Sequence, residues 1–157
     1  MIRQIIWVFG TSAVGKEAFM KAVLNDAGLQ KALNLEAQKI AISQESLRHL
    51  GILDGSRNTV RKDVLGLLKT NDVVFVKWQY GDTLLNTPNK LVADLPGVRH
   101  VAITLIVANE EKIKRLRTKS WWHDTGKESP FIAEEERTVV TALSRLSDAF
   151  ELVDLSW

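Results

Sequence analysis

The sequence predicts a single α/β domain over residues 1–157, built on a parallel sheet of about five strands. Three observations predict it. Short apolar runs recur at 3–9, 39–43, 73–76, 100–107 and 151–155. Stretches with helical spacing separate them, so strands and helices alternate. The first run also feeds through two glycines, Gly10 and Gly15, straight into a helical pattern. That strand–turn–helix order belongs to parallel sheets rather than hairpins.

Taken in order, residues 3–9 read as a buried central strand: short, almost wholly apolar and bounded by Gly10. A helix over 14–26 then sets Phe19, Val23 and Leu24 on one face, with Gly28 as its stop. Residues 31–37 fit a weak helical turn or a loop equally well. The second strand is 39–43, with Ser43 capping a helix that starts at Gln44. Turn formers Gly51, Asp54, Gly55 and Ser56 separate it from a helix over 58–69, whose inner face carries Val60, Val64, Leu67 and Leu68. The third strand, 73–76, ends in Lys77-Trp78-Gln79, with Asp82 further on. A short helix at 89–95 stops at Pro96-Gly97, and after the fourth strand Asn109 caps a charged helix. Residues 118–130 are polar with little apolar periodicity, the length and character of a functional loop. A helix over 131–149 and a last short strand complete the chain.

The chemistry starts at Gly10-Thr11-Ser12-Ala13-Val14-Gly15-Lys16, a Gly-x-x-x-x-Gly-Lys (Walker A) pattern between strand and helix. Phosphate oxygens need several donors converging on a small sphere. Glycines let successive backbone N–H groups turn inward, and the helix that follows presents its positive end. Lys16 would reach the terminal phosphates as a mobile point charge. ATP or another nucleoside triphosphate, with Mg²⁺, is the expected cofactor. The pattern departs from the usual one after the lysine, where Glu17 replaces the Ser or Thr whose hydroxyl holds Mg²⁺. A carboxylate is also a hard-cation ligand, so Glu17 is the candidate metal ligand. The tip of the third strand offers Lys77 where an acid usually orders the Mg²⁺ shell.

Composition limits the alternatives. The formal net charge is +2, so any basic surface must be local. Without cysteine, thiol catalysis, thiolate metal sites and disulfides are excluded. No apolar run approaches the roughly 18 residues of a membrane span, and the N-terminus enters a strand with no leader pattern. The expectation is a cytoplasmic protein with no membrane partner. His49, His100 and His123 are too scattered for a metal site, and no serine-nucleophile signature accompanies them.

With these residues in view, the chain resembles the small P-loop kinases of the nucleotide-kinase and polynucleotide-kinase-like group. Three stretches carry the resemblance: Gly10 to Lys16; Ser43-Gln44-Glu45-Ser46-Leu47-Arg48; and Ile103-Thr104-Leu105-Ile106-Val107-Ala108 leading to Lys114-Arg115-Leu116-Arg117. Phe150-Glu151-Leu152-Val153-Asp154 is similar to the last strand of such kinases. The resemblance implies a three-layer fold with a short lid at about 115–130, and transfer of the γ-phosphoryl of ATP to a nucleoside, nucleotide or related small acceptor. Glu45 would then be the base for the acceptor hydroxyl, where the family usually has Asp, and Arg48 a phosphate clamp. Arg115 and Arg117 would neutralise the transferring phosphoryl. Two residues apart, they cannot fully share one helix face, and Arg117 lies nearer the loop. Arg48, Arg57 and Arg61 are the candidates for acceptor phosphate, since arginine suits planar bidentate contacts. A polynucleotide acceptor is not favoured by the small net charge.

Glu17 and Lys77 support a competing expectation: a nucleotide binder that has lost turnover and acts through protein partners. Trp121 and Trp122, unusual in a polar loop, could stack on a base, contact another chain or pack against the body. Trp7 and Trp78, in or at strands, read as core.

Overall fold

The strand β1 (Gln4–Phe9) is buried along all six residues, and this follows from strands on both of its sides. The computed structural model describes residues 2–11, 14–49, 54–79 and 85–157, with side chains except at 49 and 54–57. Ser12, Ala13 and Asp82, and the side chains of Arg57 and His49, therefore lie outside the described residues.

After β1 come α1 (Lys16–Asn25), α2 (Ala27–Ala32), β2 (Ile40–Ile42), α3 (Gln44–His49) and α4 (Asp54–Leu67). β3 (Val73–Lys77), α5 (Asn86–Asp94), β4 (Arg99–Ile106), α6 (Asn109–Arg117), α7 (Glu128–Leu143) and β5 (Glu151–Ser156) follow. The five strands form one sheet in the order β2-β3-β1-β4-β5. Every pairing is parallel; Val8 is in register with Lys77 of β3 and with Ile103 of β4.

Alternation along β1 builds two cores. Ile5, Trp7 and Phe9 face one side, packed with Val60 and Val64 of α4, Leu91 and Val92 of α5 and Ala142 of α7. Ile6 and Val8 face the other, packed with Phe19, Met20 and Val23 of α1 and with Leu35. The sheet is therefore the middle of three layers, which explains strands that are apolar on both faces. Trp7 and Trp78 are fully buried and meet edge to face with ring centroids 5.5 Å apart.

Element ends differ from the sequence reading where caps decide them. α1 stops at Asn25 because Asp26 turns extended and its carboxylate accepts from Leu29 N at 3.1 Å, starting α2. Gly28 therefore lies inside α2 and is not a stop. α4 begins at Asp54, so part of the expected turn region is helical. α5 starts at Asn86 with Pro88 in its first turn, a place that tolerates proline. Asn109 is the first residue of α6, not its cap; Ala108 holds that position without a side-chain bond. α7 runs Glu128–Leu143, earlier at both ends than the 131–149 expected. No helix among the described residues is long and apolar enough to cross a membrane.

Candidate functional site

The site lies at the carboxyl ends of β1 and β3, the strands that precede α1 and α5. Gly15 has a left-handed backbone (φ 86°), which glycine adopts at little cost and which turns the chain into α1. A side chain there would also stand 3.1 Å from Trp157 Nε1 and 3.4 Å from Arg115 Nη1.

Lys16 opens α1 and is buried. Its ammonium donates to the carbonyls of Gly10 (3.1 Å) and Thr11 (3.3 Å), folding back over the loop's own backbone. Burial pushes its pKa down to about 8, helped by the charges of Lys77 and Lys119 and opposed by Glu135 of α7. Lys77, at the tip of β3, is lowered as well, first by burial and then by Lys119, with Glu17 acting the other way. The buried Thr11 hydroxyl has no hydrogen-bond partner among the described residues.

Lys16 and Lys77 line one cleft of about 560 Å³ together with Lys21 and Lys119, against the carboxylate of Glu17, with Gln79 and Trp121 on its wall; Thr11 and Glu135 line a smaller pocket that shares Lys16 and Gln79 with it. Its electrostatic character is that of an anion site. Glu17 is bonded to Lys21 one helical turn on, at 3.1 Å. A second cavity shares Gly15, Ala18 and Lys119 with the cleft and is lined also by Arg115, Thr118 and Trp157. Trp157 packs edge to face on Phe19 with centroids 5.3 Å apart, giving that cavity a flat aromatic wall.

The two arginines of α6 have separate places. Arg115 Nη1 donates to the Val14 carbonyl at 3.1 Å and its Nε to Glu111, also at 3.1 Å. Arg117 points to the other end of segment 118–127, where its Nε donates to Glu128 at 3.0 Å. Arg115, not Arg117, is thus the one bonded to the turn between β1 and α1. Glu128 also accepts from Gly126 N at 2.9 Å and Trp122 Nε1 at 3.4 Å. Trp122 and Phe131 pack at 4.9 Å, whereas Trp121 is half exposed and faces the lysine cleft. Lys112 of α6, itself buried, reaches Glu136 of α7 at 3.3 Å and fastens the two helices together.

On the β2 side, Glu45 and Arg48 pair with each other at 3.4 Å. The α3 start is held by Asp63 of α4, which accepts from Ser43 Oγ at 2.7 Å and from Glu45 N at 3.4 Å. Ser46 Oγ accepts from Lys77 N at 3.0 Å and joins α3 to the tip of β3. Arg61 is elsewhere, bonded to Asp94 of α5 at 2.8 Å. Asp63 and Glu128 are site-supporting residues that sequence reasoning missed. No local pattern marks Asp63, whereas Glu128, two residues before Pro130, stands in a recognisable helix start.

The architecture has solved counterparts. A shikimate kinase from Bacteroides thetaiotaomicron superposes with a TM-score of 0.50 at 15% identity, over 96% of this chain and 85% of that one. The tunicamycin resistance protein of Deinococcus radiodurans gives a TM-score of 0.54 at 15% identity, over 97% of this chain and 86% of that one. No protein-family model matches the sequence, and no curated protein does. The chain has a P-loop kinase fold: a five-stranded parallel sheet with helices on both faces.

Proposed function

We propose that the chain binds the phosphate groups of ATP, or of another nucleoside triphosphate, at residues 10–17 and transfers the terminal phosphoryl to a hydroxyl of a nucleoside, nucleotide or related small acceptor. One observation carries this reading: Lys16, Lys21, Lys77 and Lys119 converge in a single cleft at the N-terminal end of α1. Helix end and ammonium groups together are a polyphosphate site. The cavity between Arg115 and Trp157 suits a stacked nucleobase.

Phosphoryl transfer needs positioning and charge more than covalent help. The acceptor oxygen bonds to the γ-phosphorus as the bridging P–O bond breaks and the diphosphate leaves. Glu45 orients the acceptor hydroxyl and takes its proton late, while Lys16 and Arg115 offset charge on the equatorial oxygens. For Arg48 to hold acceptor phosphate it must exchange Glu45 for that ligand. Arg117 likewise acts on the phosphoryl only by leaving Glu128, a movement of the lid-like segment. Loop kinases of this kind hold Mg²⁺ through the hydroxyl after the loop lysine and an acid on a nearby strand. Here Glu17 is bonded to Lys21 and β3 ends in Lys77. These two positions do not fit a protein-held Mg²⁺.

The test is ATP binding by the wild type and Lys16→Ala, followed by ADP release over a panel of nucleosides, nucleotides and small hydroxylic metabolites. Lys16-dependent binding with acceptor-stimulated ADP release, lost in Glu45→Gln, is the expected result. No binding by the wild type overturns the reading. A second reading is favoured by the Glu17–Lys21 pair and by Lys77: a nucleotide binder without turnover, signalling to a protein partner through the half-exposed Trp121. Its signature is tight, Lys16-dependent binding with no ADP release on any acceptor.

A further inference from the structure

We propose that Lys77 does the work of the metal at this site, so that the cleft binds the polyphosphate chain in its metal-free form. The inference rests on the reading of the cleft as a polyphosphate site. It starts from the sheet: Val8, two residues before Gly10, is in register with Lys77, so the tip of β3 lies beside the root of the phosphate loop. Ser46 fixes that tip from α3 through Lys77 N at 3.0 Å.

The Lys77 side chain lines the same cleft as Lys16. The groups that face it come from separate elements: Lys16 and Glu17 from α1, and Lys119 from the segment after α6. Among the described residues that line this cleft the one carboxylate is Glu17, already bonded to Lys21, while Glu135 of α7 lines a smaller pocket that shares Lys16 and Gln79 with it. Half-buried lysines placed beside one another repel in the free protein, and a multiply charged anion relieves that repulsion. A divalent cation brought in with the nucleotide faces the opposite balance, because it enters a field of ammonium groups with one paired carboxylate. The cleft therefore favours polyphosphate over its magnesium complex. Lys77 is a positioning and neutralising residue for the phosphates, the place a metal occupies when this strand ends in an acid.

The experiment is titration of ATP into the full chain in EDTA and in excess Mg²⁺, for the wild type, Lys77→Met and Lys77→Arg. Wild type is expected to bind in EDTA at least as tightly as in Mg²⁺. Lys77→Met should lose about tenfold or more in EDTA, the size of one lost charge-assisted contact, and should lose less in Mg²⁺. Lys77→Arg, which keeps the charge, should retain the wild-type order. Wild-type binding that requires Mg²⁺ overturns the role of Lys77 and leaves the phosphate site standing. Wild-type binding in neither condition overturns both. Undiminished EDTA binding by Lys77→Met also overturns the proposal. Should that variant fail to fold, the wild-type and Lys77→Arg comparisons decide it.

Discussion

Arg115 Nη1 donates to the carbonyl of Val14 at 3.1 Å, so the helix that follows the fourth strand is fastened directly to the turn between β1 and α1. The same guanidinium borders Gly15 and stands beside Trp157, which makes it a shared wall of loop and cavity. Arg115→Met keeps the apolar stem and removes the guanidinium with its hydrogen bonds to Val14 and Glu111. ATP affinity should fall roughly tenfold, the worth of one or two charged hydrogen bonds. Titration calorimetry checks this; unchanged affinity would place Arg115 outside the site.

The depressed pKa of Lys16 has a signed consequence for stability. Unfolded, the amine titrates near 10.5; folded, near 8. Below pH 8 both states are protonated and the fold carries the whole cost of a buried ammonium. Between the two values the unfolded chain binds more protons, so stability rises with pH across that window, by about 3 kcal/mol from this residue. Lys77 is shifted in the same direction, and Lys119 and Glu135 face the group throughout. Urea unfolding on either side of the window, compared with Lys16→Met, isolates the effect; an equal rise in the variant would remove Lys16 as its source. ATP binding near pH 8 should also take up protons, since the anion favours the charged amine.

Glu128 behaves in the opposite sense. Its carboxyl is held below the usual carboxylate range, first by hydrogen bonding to backbone at its own position and further by Arg117 and Trp122. A depressed acid contributes stability that is complete above its unfolded pKa and is lost as pH falls through the folded one. Segment 118–127 should therefore loosen in acid before the sheet does. Glu128→Gln should reproduce that loosening at neutral pH, seen as greater solvent quenching of Trp121 and Trp122 with far-ultraviolet circular dichroism retained. Equal quenching in variant and wild type would show that the carboxylate does not hold the segment.

Asp63 closes the start of α3 from a neighbouring helix. Asp63→Ala leaves Ser43 Oγ and Glu45 N without this acceptor and should cost about 1–2 kcal/mol, or a few degrees in Tm. Because Glu45 moves with that helix start, phosphoryl transfer should fall while ATP binding holds. Parallel measurements of Tm, binding and turnover separate the two effects, and a loss of binding equal to the loss of turnover would contradict this division.

The parts of this molecule that were legible in the sequence are those written in local pattern. β1, β3 and β4 announce themselves as apolar runs, and the turn from β1 into α1 is written in Gly10 and Gly15. Trp7 and Trp78 were readable as core because they stand in or beside strands. Helix ends were less legible: Asp26-Ala27-Gly28 looks like a continuing helix and a glycine stop, whereas the Asp26 cap opens a new one. The choice between Arg115 and Arg117 depends on how α6 packs on α7, through Lys112 with Glu136 and Arg117 with Glu128, and residue spacing does not reveal that. Asp63 lies 20 residues from the serine it holds, beyond any local motif. Lys77 did leave a signal, since a charged residue ending an apolar strand falls where ligands sit in such sheets.

The sheet order sets a timetable for making the protein. β1 lies far from its partners along the chain, for they begin at Val73 and Arg99. None of the four strand pairings joins neighbours along the chain except β2 with β3 and β4 with β5, and those are at the edges. β1 must therefore wait for β3, which ends at Lys77, and for β4, which ends at Ile106, and pairing so remote is slow and exposed to aggregation. The loop that follows β1 acquires its setting only when β3 closes one side and β4 the other. The middle of the sheet is thus completed by segments distant in sequence from the strand they enclose.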